Sequence, residues 1–236
     1  RAVWLPPDVA PGSTIDLSEF DDWVIEVDNK SITHRPDLWG HYGIARELAA
    51  IYNRPLEPYP VMPAQELDDP ALPEIPIIID DPAKSPRYSA LRFTGVRPQP
   101  APLWMQVRLA HVGLRPIDVL VDLTNYIMAE LGQPMHAFDG SNIDRIEVAV
   151  AAEGEKFQTL DGVERTMPPG ALMIQSNRRS VALAGIMGGF DTEITESTTN
   201  LLLESANFEA ATIRRCATAL GHRTDASARF EKSQDP

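Results

Sequence analysis

The chain has 236 residues, with 21 Lys+Arg against 34 Asp+Glu and a formal net charge of -13. That balance excludes a long electrostatic grip on a phosphate backbone, so any nucleic acid must be touched locally or held by another domain. The 43% hydrophobic content is that of a globular protein long enough for a large main domain and a smaller appendage.

The single cysteine, Cys216, cannot form an internal disulfide and fits a reducing compartment. No apolar run is long enough to span a bilayer, and no charged-then-apolar leader opens the chain. The first residue is Arg1 rather than Met, which reads as a piece of a longer polypeptide.

In chain order, Trp23–Val27 reads as a short apolar strand. Pro36 then opens an amphipathic helix running to Tyr52, with Asp37 suited to its positive N-terminal end. This first unit, residues 1–54, reads as one strand, one loop and one helix, too small to be a complete domain. Prolines 55, 58, 60, 63, 70, 73 and 76, mixed with acidic residues, forbid regular hydrogen bonding and mark residues 55–74 as a linker.

The main domain, residues 75–236, opens with β-branched and alternating segments at Ile75–Asp80 and Arg87–Val96, both strand-like. Pro102–Val112 reads as a helix closed by Gly113. A second helix begins near Pro116, repeats Leu120, Leu123, Ile127 and Leu131 at helical spacing, and stops at Gly132 and Pro134. His136 is therefore expected just past a helix end.

Further strands are expected at Ile146–Ala152, Gly162–Thr166, Ala171–Gln175, Val181–Ile186 and Leu201–Ser205, with turn signals at Asp161-Gly162 and Asn177–Ser180. Phe208–Leu220 is a last amphipathic helix, with Ile213, Cys216, Ala217 and Leu220 inward and Gly221 ending it. The expected class is α+β, a strand-built core of mixed-sheet or barrel-like form with flanking helices and a small N-terminal strand-helix appendage.

Three polar segments stand at element ends, where side chains can converge on a pocket: Gln133–Asp139, Leu202–Ala206 and His222–Phe230. His136 can hold a substrate group or water near neutral pH, or simply cap the preceding helix carbonyls. Glu204 ends a run of three leucines, so its carboxylate either emerges from a buried strand at a desolvation cost or points to water from an edge. Gly185-Ile-Met-Gly-Gly189 lets a ligand or another segment approach the backbone, or marks a strand-to-turn transition. It fits neither the Walker nor the dinucleotide pattern. Thr224-Asp-Ala-Ser227 caps another turn or lines a site, with small Ala226 leaving room.

The five histidines, 34, 41, 111, 136 and 222, are scattered without metal-ligand spacing, so no metal site is expected. No Gly-x-Ser-x-Gly elbow is present and Cys216 falls on an inward helix face, so a covalent nucleophile has little support. The four tryptophans read as packing residues rather than base-stacking platforms.

The same residues also carry a resemblance. Arg115-Pro-Ile, Val121-Asp-Leu-Thr-Asn-Tyr126, Leu131-Gly-Gln-Pro-Met-His-Ala-Phe-Asp139, Leu160-Asp-Gly162, Ala182-Leu-Ala-Gly-Ile-Met-Gly-Gly189, Leu202-Leu-Glu-Ser-Ala206 and Thr224-Asp-Ala-Ser-Ala-Arg-Phe-Glu231 resemble, in the same order, the central B3/B4 region of the bacterial phenylalanyl-tRNA synthetase β subunit. Ile32–Ala50 resembles the preceding B1 segment. Lys232-Ser-Gln-Asp-Pro236 and Leu38-Trp39 depart from the family pattern, both outside the implied pocket.

In that family the region edits, hydrolysing tyrosine mistakenly attached to phenylalanine tRNA. The resemblance implies that Glu204 binds the tyrosine hydroxyl, that Gly188 and Ala226 shape the ring pocket, and that His136, Arg115 and Thr224 surround the terminal adenosine, the ester and the water. Hydrolysis in that picture positions a water rather than using a nucleophilic side chain. A buried carboxylate left unpaired by phenylalanine would cost about 2–4 kcal/mol, or about 10²- to 10³-fold in selectivity. The resemblance further implies the 3′ end of phenylalanine tRNA as partner, an α subunit in an α2β2 assembly, a cytoplasmic location and no membrane. It implies no cofactor in this chain, ATP and magnesium serving the whole enzyme. The competing reading is a structural, subunit-contacting module with a vestigial pocket.

Overall fold

The computed structural model describes residues 3–5, 9–16, 18–63, 66 and 74–235. Among them, five α-helices and ten strands form open mixed sheets, with no closed barrel. No described helix is long and apolar enough to cross a membrane.

Two sheets supply the core. Strand β2 (Arg87–Thr94), β3 (Met135–Asp139) and β10 (Asn200–Asn207) make an antiparallel sheet with β10 in the centre. The second sheet has the order β1-β4-β7-β8-β9, from Ile77–Ile79, Ile146–Val150, Leu172–Ser176, Arg179–Leu183 and Met187–Gly188. Among the described residues only β1 and β4 pair in parallel. A small hairpin of β5 (Lys156–Gln158) and β6 (Glu164–Thr166) turns at Asp161-Gly162.

Alternation explains how the first sheet faces the core. Along β10 Leu202, Glu204 and Ala206 share one face, and Tyr88 of β2 and Phe138 of β3 lie on that face with them. Leu202 and Phe138 are fully buried in the same cluster as Met173, Ile174 and Leu183 of the second sheet and Ile213 and Cys216 of helix α4 (Ala210–Ala219). Burial pushes the Cys216 thiol up to about 11, leaving it protonated and inert.

Helix α2 spans Leu103–His111 and α3 spans Val119–Leu131. The α3 start lies beyond Pro116 because Asp118 is its cap, accepting from the Leu120 and Val121 amides. Gly132, at φ 81°, ends it as expected. The chain then enters β3 directly, so His136 sits on a strand rather than in a loop. Three further short elements escape sequence periodicity: β5, β9 and the six-residue helix α5 (Asp225–Phe230).

At the N-terminal side the expected helix divides into a 3-10 turn at Pro36–Trp39 and helix α1 (His41–Ile51). The strand expected at Trp23–Val27 does not form. Those residues pair with no strand among the described residues, and Trp23 is 92% exposed. Alternating apolar residues make a strand only when a neighbouring edge takes their backbone hydrogen bonds.

The appendage is nevertheless docked. A Cβ on Gly40 would fall 2.4 Å from the Gly132 amide nitrogen, so this site accepts only glycine, and His41 Nδ1 lies 2.8 Å from the Ala129 carbonyl. The Tyr59 phenol donates to Glu130 at 2.8 Å. Trp39 receives Arg229 and Lys232 over its ring at 5.9 and 5.4 Å. Residues 55–63 of the expected linker carry no helix or strand, whereas residues 64–65 and 67–73 lie outside the described residues.

Candidate functional site

Glu204 is the point of convergence. It stands in the middle of β10, directly opposite Ala90 on one side and His136 on the other. Directly opposed residues project to the same face with Cβ atoms about 4.5–5.5 Å apart, so register alone brings Glu204 and His136 together.

Only 7% of Glu204 is exposed, and its carboxyl meets one donor, the Tyr88 phenol, at 2.6 Å on Oε2. Oε1 has no partner among the described residues and is not sealed from solvent. Burial, opposed by the Tyr88 bond, raises the Glu204 pKa to about 7. Burial and the adjoining carboxylate push the Tyr88 phenol well above its ordinary value, so it remains a donor.

His136 is half-buried, and desolvation lowers its pKa to about 4. The ring is neutral at pH 7, and neither nitrogen has a hydrogen-bond partner among the described residues. Phe138 braces it edge to face, with centroids 4.3 Å apart. The capping role open to His136 in the sequence is not the one the geometry gives it.

Gly188 supplies the facing wall. A Cβ there would lie 2.5 Å from both Cε1 and Nε2 of His136, so the imidazole packs on bare backbone. The wall is pinned from both sides: Gly188 pairs with Ala182 of β8, and its carbonyl accepts from the Leu160 amide at 3.0 Å. Gly185 serves a different need. It turns the chain at φ +66° beneath the rings of Phe208 and Phe230.

Thr224 is the N-cap of α5 and forms a reciprocal capping box with Ser227. Its hydroxyl accepts from the Ser227 amide at 3.1 Å and donates to the Ile186 carbonyl at 2.9 Å. The one hydroxyl proton is thus spent on tying α5 to the Gly185–Gly189 turn. Ala226, on the first turn of α5, packs against the main core.

Arg115 is exposed in the α2–α3 connection and makes no hydrogen bond or ion pair among the described residues. No contact brings it to Glu204 or His136. Its loop is held by Asp122, whose Oδ1 accepts from the Ile117 amide at 2.8 Å; burial raises that carboxyl to about 6. Asp139, at the end of the histidine segment, is structural: it accepts from the Ser141 amide at 3.0 Å and from Thr198 Oγ1 at 2.7 Å. The residue that sequence reasoning missed is Tyr88, 116 positions from Glu204 and indistinguishable in sequence from any aromatic strand residue.

The geometry defines an α+β domain in which a half-held buried carboxyl stands in register with an unpartnered imidazole, and that imidazole packs on a glycine. The B3/4 domain model matches residues 84–236, and the chain belongs to that family. Among curated relatives it is 51% identical over 217 residues to the phenylalanine–tRNA ligase beta subunit of Solibacter usitatus, covering 91% of this chain and 28% of that protein. It is 44% identical over 235 residues to the beta subunit of Oleidesulfovibrio alaskensis, covering 98% of this chain and 29% of that one. The chain thus spans under a third of the length of these relatives. A crystal structure of an N-terminal fragment of the phenylalanyl-tRNA synthetase beta subunit from Pyrococcus horikoshii matches at 19% identity and a TM-score of 0.44, covering 83% of this chain and 60% of that one.

Proposed function

We propose that this chain carries the proofreading site of a phenylalanine–tRNA ligase, a site that hydrolyses tyrosine wrongly esterified to phenylalanine tRNA. The observation that carries the proposal is the unspent Oε1 of buried Glu204, in register with His136. A substrate phenol donates to that oxygen, whereas phenylalanine leaves it unpaired. An unpaired buried acceptor costs about 1–3 kcal/mol, and more when charged.

In this proposal, water attacks the ester carbonyl, the bond to the ribose oxygen breaks, and tyrosine and the regenerated ribose hydroxyl depart. His136, with its pKa near 4, is too weak a base to take the water's proton efficiently at pH 7. It serves as a neutral donor and acceptor that orients the ester or the water. Gly188 seats the His136 ring and so shapes the ring pocket indirectly, Ala226 shapes it by being small, and Thr224 fixes the Gly185–Gly189 turn rather than donating to the substrate, because its proton is committed to Ile186. Arg115 contributes, in this reading, by meeting the terminal nucleotide from outside the carboxyl pocket.

Within the proposed ligase the tRNA body is held by other domains, in keeping with the net charge of -13. An α subunit in an α2β2 complex in the cytoplasm, with ATP and magnesium, performs the charging. The decisive experiment is deacylation of preformed tyrosyl-tRNA by the assembled enzyme carrying Glu204→Ala. A drop of tenfold or more is expected; deacylation at the wild-type rate would assign the domain a purely structural part.

A further inference from the structure

Glu204 reaches its position with one carboxyl oxygen already occupied. The occupant is itself a phenol: Tyr88 Oη donates to Oε2 at 2.6 Å. Tyr88 lies opposite Ala206 and Ala90 lies opposite Glu204, so the two side chains meet diagonally across β2 and β10 on the core face. Ala90 keeps the intervening position small. No other donor among the described residues meets the Glu204 carboxyl, so Tyr88 alone fixes which oxygen is spent and which remains open.

We propose that Tyr88 is a specificity-determining positioning residue: by holding Oε2 it fixes the carboxyl group and leaves Oε1 to receive a second phenol, that of the substrate. The inference rests on the proofreading reading of the site. Two phenols then share one carboxyl group, one resident and one incoming. Glutamate has three rotatable side-chain bonds, and a strand residue without this tether samples several rotamers, each placing the acceptor elsewhere. Fixing it in advance spends that entropy on folding rather than on substrate binding. The same bond favours the charged form of Glu204 against its burial, which strengthens acceptance of a neutral donor.

Tyr88→Phe removes one oxygen and leaves the ring packed. In the assembled full-length enzyme, hydrolysis of preformed tyrosyl-tRNA and of preformed phenylalanyl-tRNA is compared for wild type, Tyr88→Phe and Glu204→Ala. The expected result is a roughly tenfold fall in the tyrosyl-to-phenylalanyl ratio of kcat/KM for Tyr88→Phe, in line with one lost charge-assisted hydrogen bond. The loss falls on the KM for tyrosyl-tRNA, while hydrolysis of phenylalanyl-tRNA is unchanged. If Tyr88→Phe slows both substrates alike, or leaves the ratio at its wild-type value while Glu204→Ala collapses it, the assignment of Tyr88 is overturned and the proofreading site stands. If Glu204→Ala leaves the ratio unchanged, the site reading fails and takes this inference with it.

Discussion

The His136 imidazole lies against the α-carbon of Gly188, so close that a methyl group on that glycine would stand 2.5 Å from two ring atoms. The obstacle is a side chain that can rotate, not backbone. Gly188→Ala should therefore leave the sheet intact, at a cost of about 0.5–1.5 kcal/mol for an off-rotamer histidine. It should reduce tyrosyl-tRNA hydrolysis far more than it lowers the melting temperature. Parallel unfolding and deacylation measurements check this, and a proportionate loss of both would contradict it.

The pH dependence of stability separates Glu204 from His136 by sign. Glu204 titrates near 7 in the folded chain against an ordinary 4.5, so between those values the native state holds a proton that the unfolded state has released. Its contribution therefore declines as pH rises through that window. His136 is the reverse: near 4 folded against 6.5 unfolded, it makes stability rise with pH between about 4 and 6.5. Asp122, near 6 folded against 3.8, acts in the same direction as Glu204.

It follows that Glu204→Gln should gain stability relative to wild type as pH rises from about 4.5 to 7. Chemical denaturation of both proteins across that range is the test. A difference that does not change with pH would mean that Glu204 is not buried as a titrating acid.

Thr224 predicts a distinction between two conservative changes. Thr224→Ser keeps both hydroxyl bonds and should behave as wild type in stability and hydrolysis. Thr224→Val loses the cap and the tie to Ile186, and should cost about 0.5–2 kcal/mol, the range for loss of an N-cap. Equal unfolding midpoints for the two variants would deny the latch.

Gly40→Ala should detach the appendage. Its Cβ would meet the Gly132 amide and Leu131 carbonyl carbon at 2.4 and 2.5 Å, backbone that cannot rotate aside. Proteolysis between residues 40 and 63 should accelerate while the main core stays resistant; unchanged cleavage would show that the contact does not hold the appendage in place.

Much of the fold was legible because its signals are local. Gly132 and Gly221 stop helices wherever they fall, and the periodicity of Leu120–Leu131 needs no partner to be read. Strand β3 was hidden because Met135–Asp139 is short, follows a proline, and takes its identity from pairing with β10 more than sixty residues away. Trp23–Val27 shows the converse: a strand pattern without a neighbour stays irregular. At the site, Glu204 betrayed itself as an acid after three leucines and Gly188 as a glycine in an apolar run. The Tyr88 bond left no mark, since nothing in an aromatic residue on β2 says which carboxyl its oxygen will find.

Trp39 sits beneath the guanidinium of Arg229 and the ammonium of Lys232, at the trailing end of the helix whose leading end is Thr224. The small helix is thereby clasped at one tip by the appendage and at the other by the turn behind the glycine wall. The six residues of that helix thus bridge the N-terminal unit to Ile186, two positions from the glycine on which His136 rests.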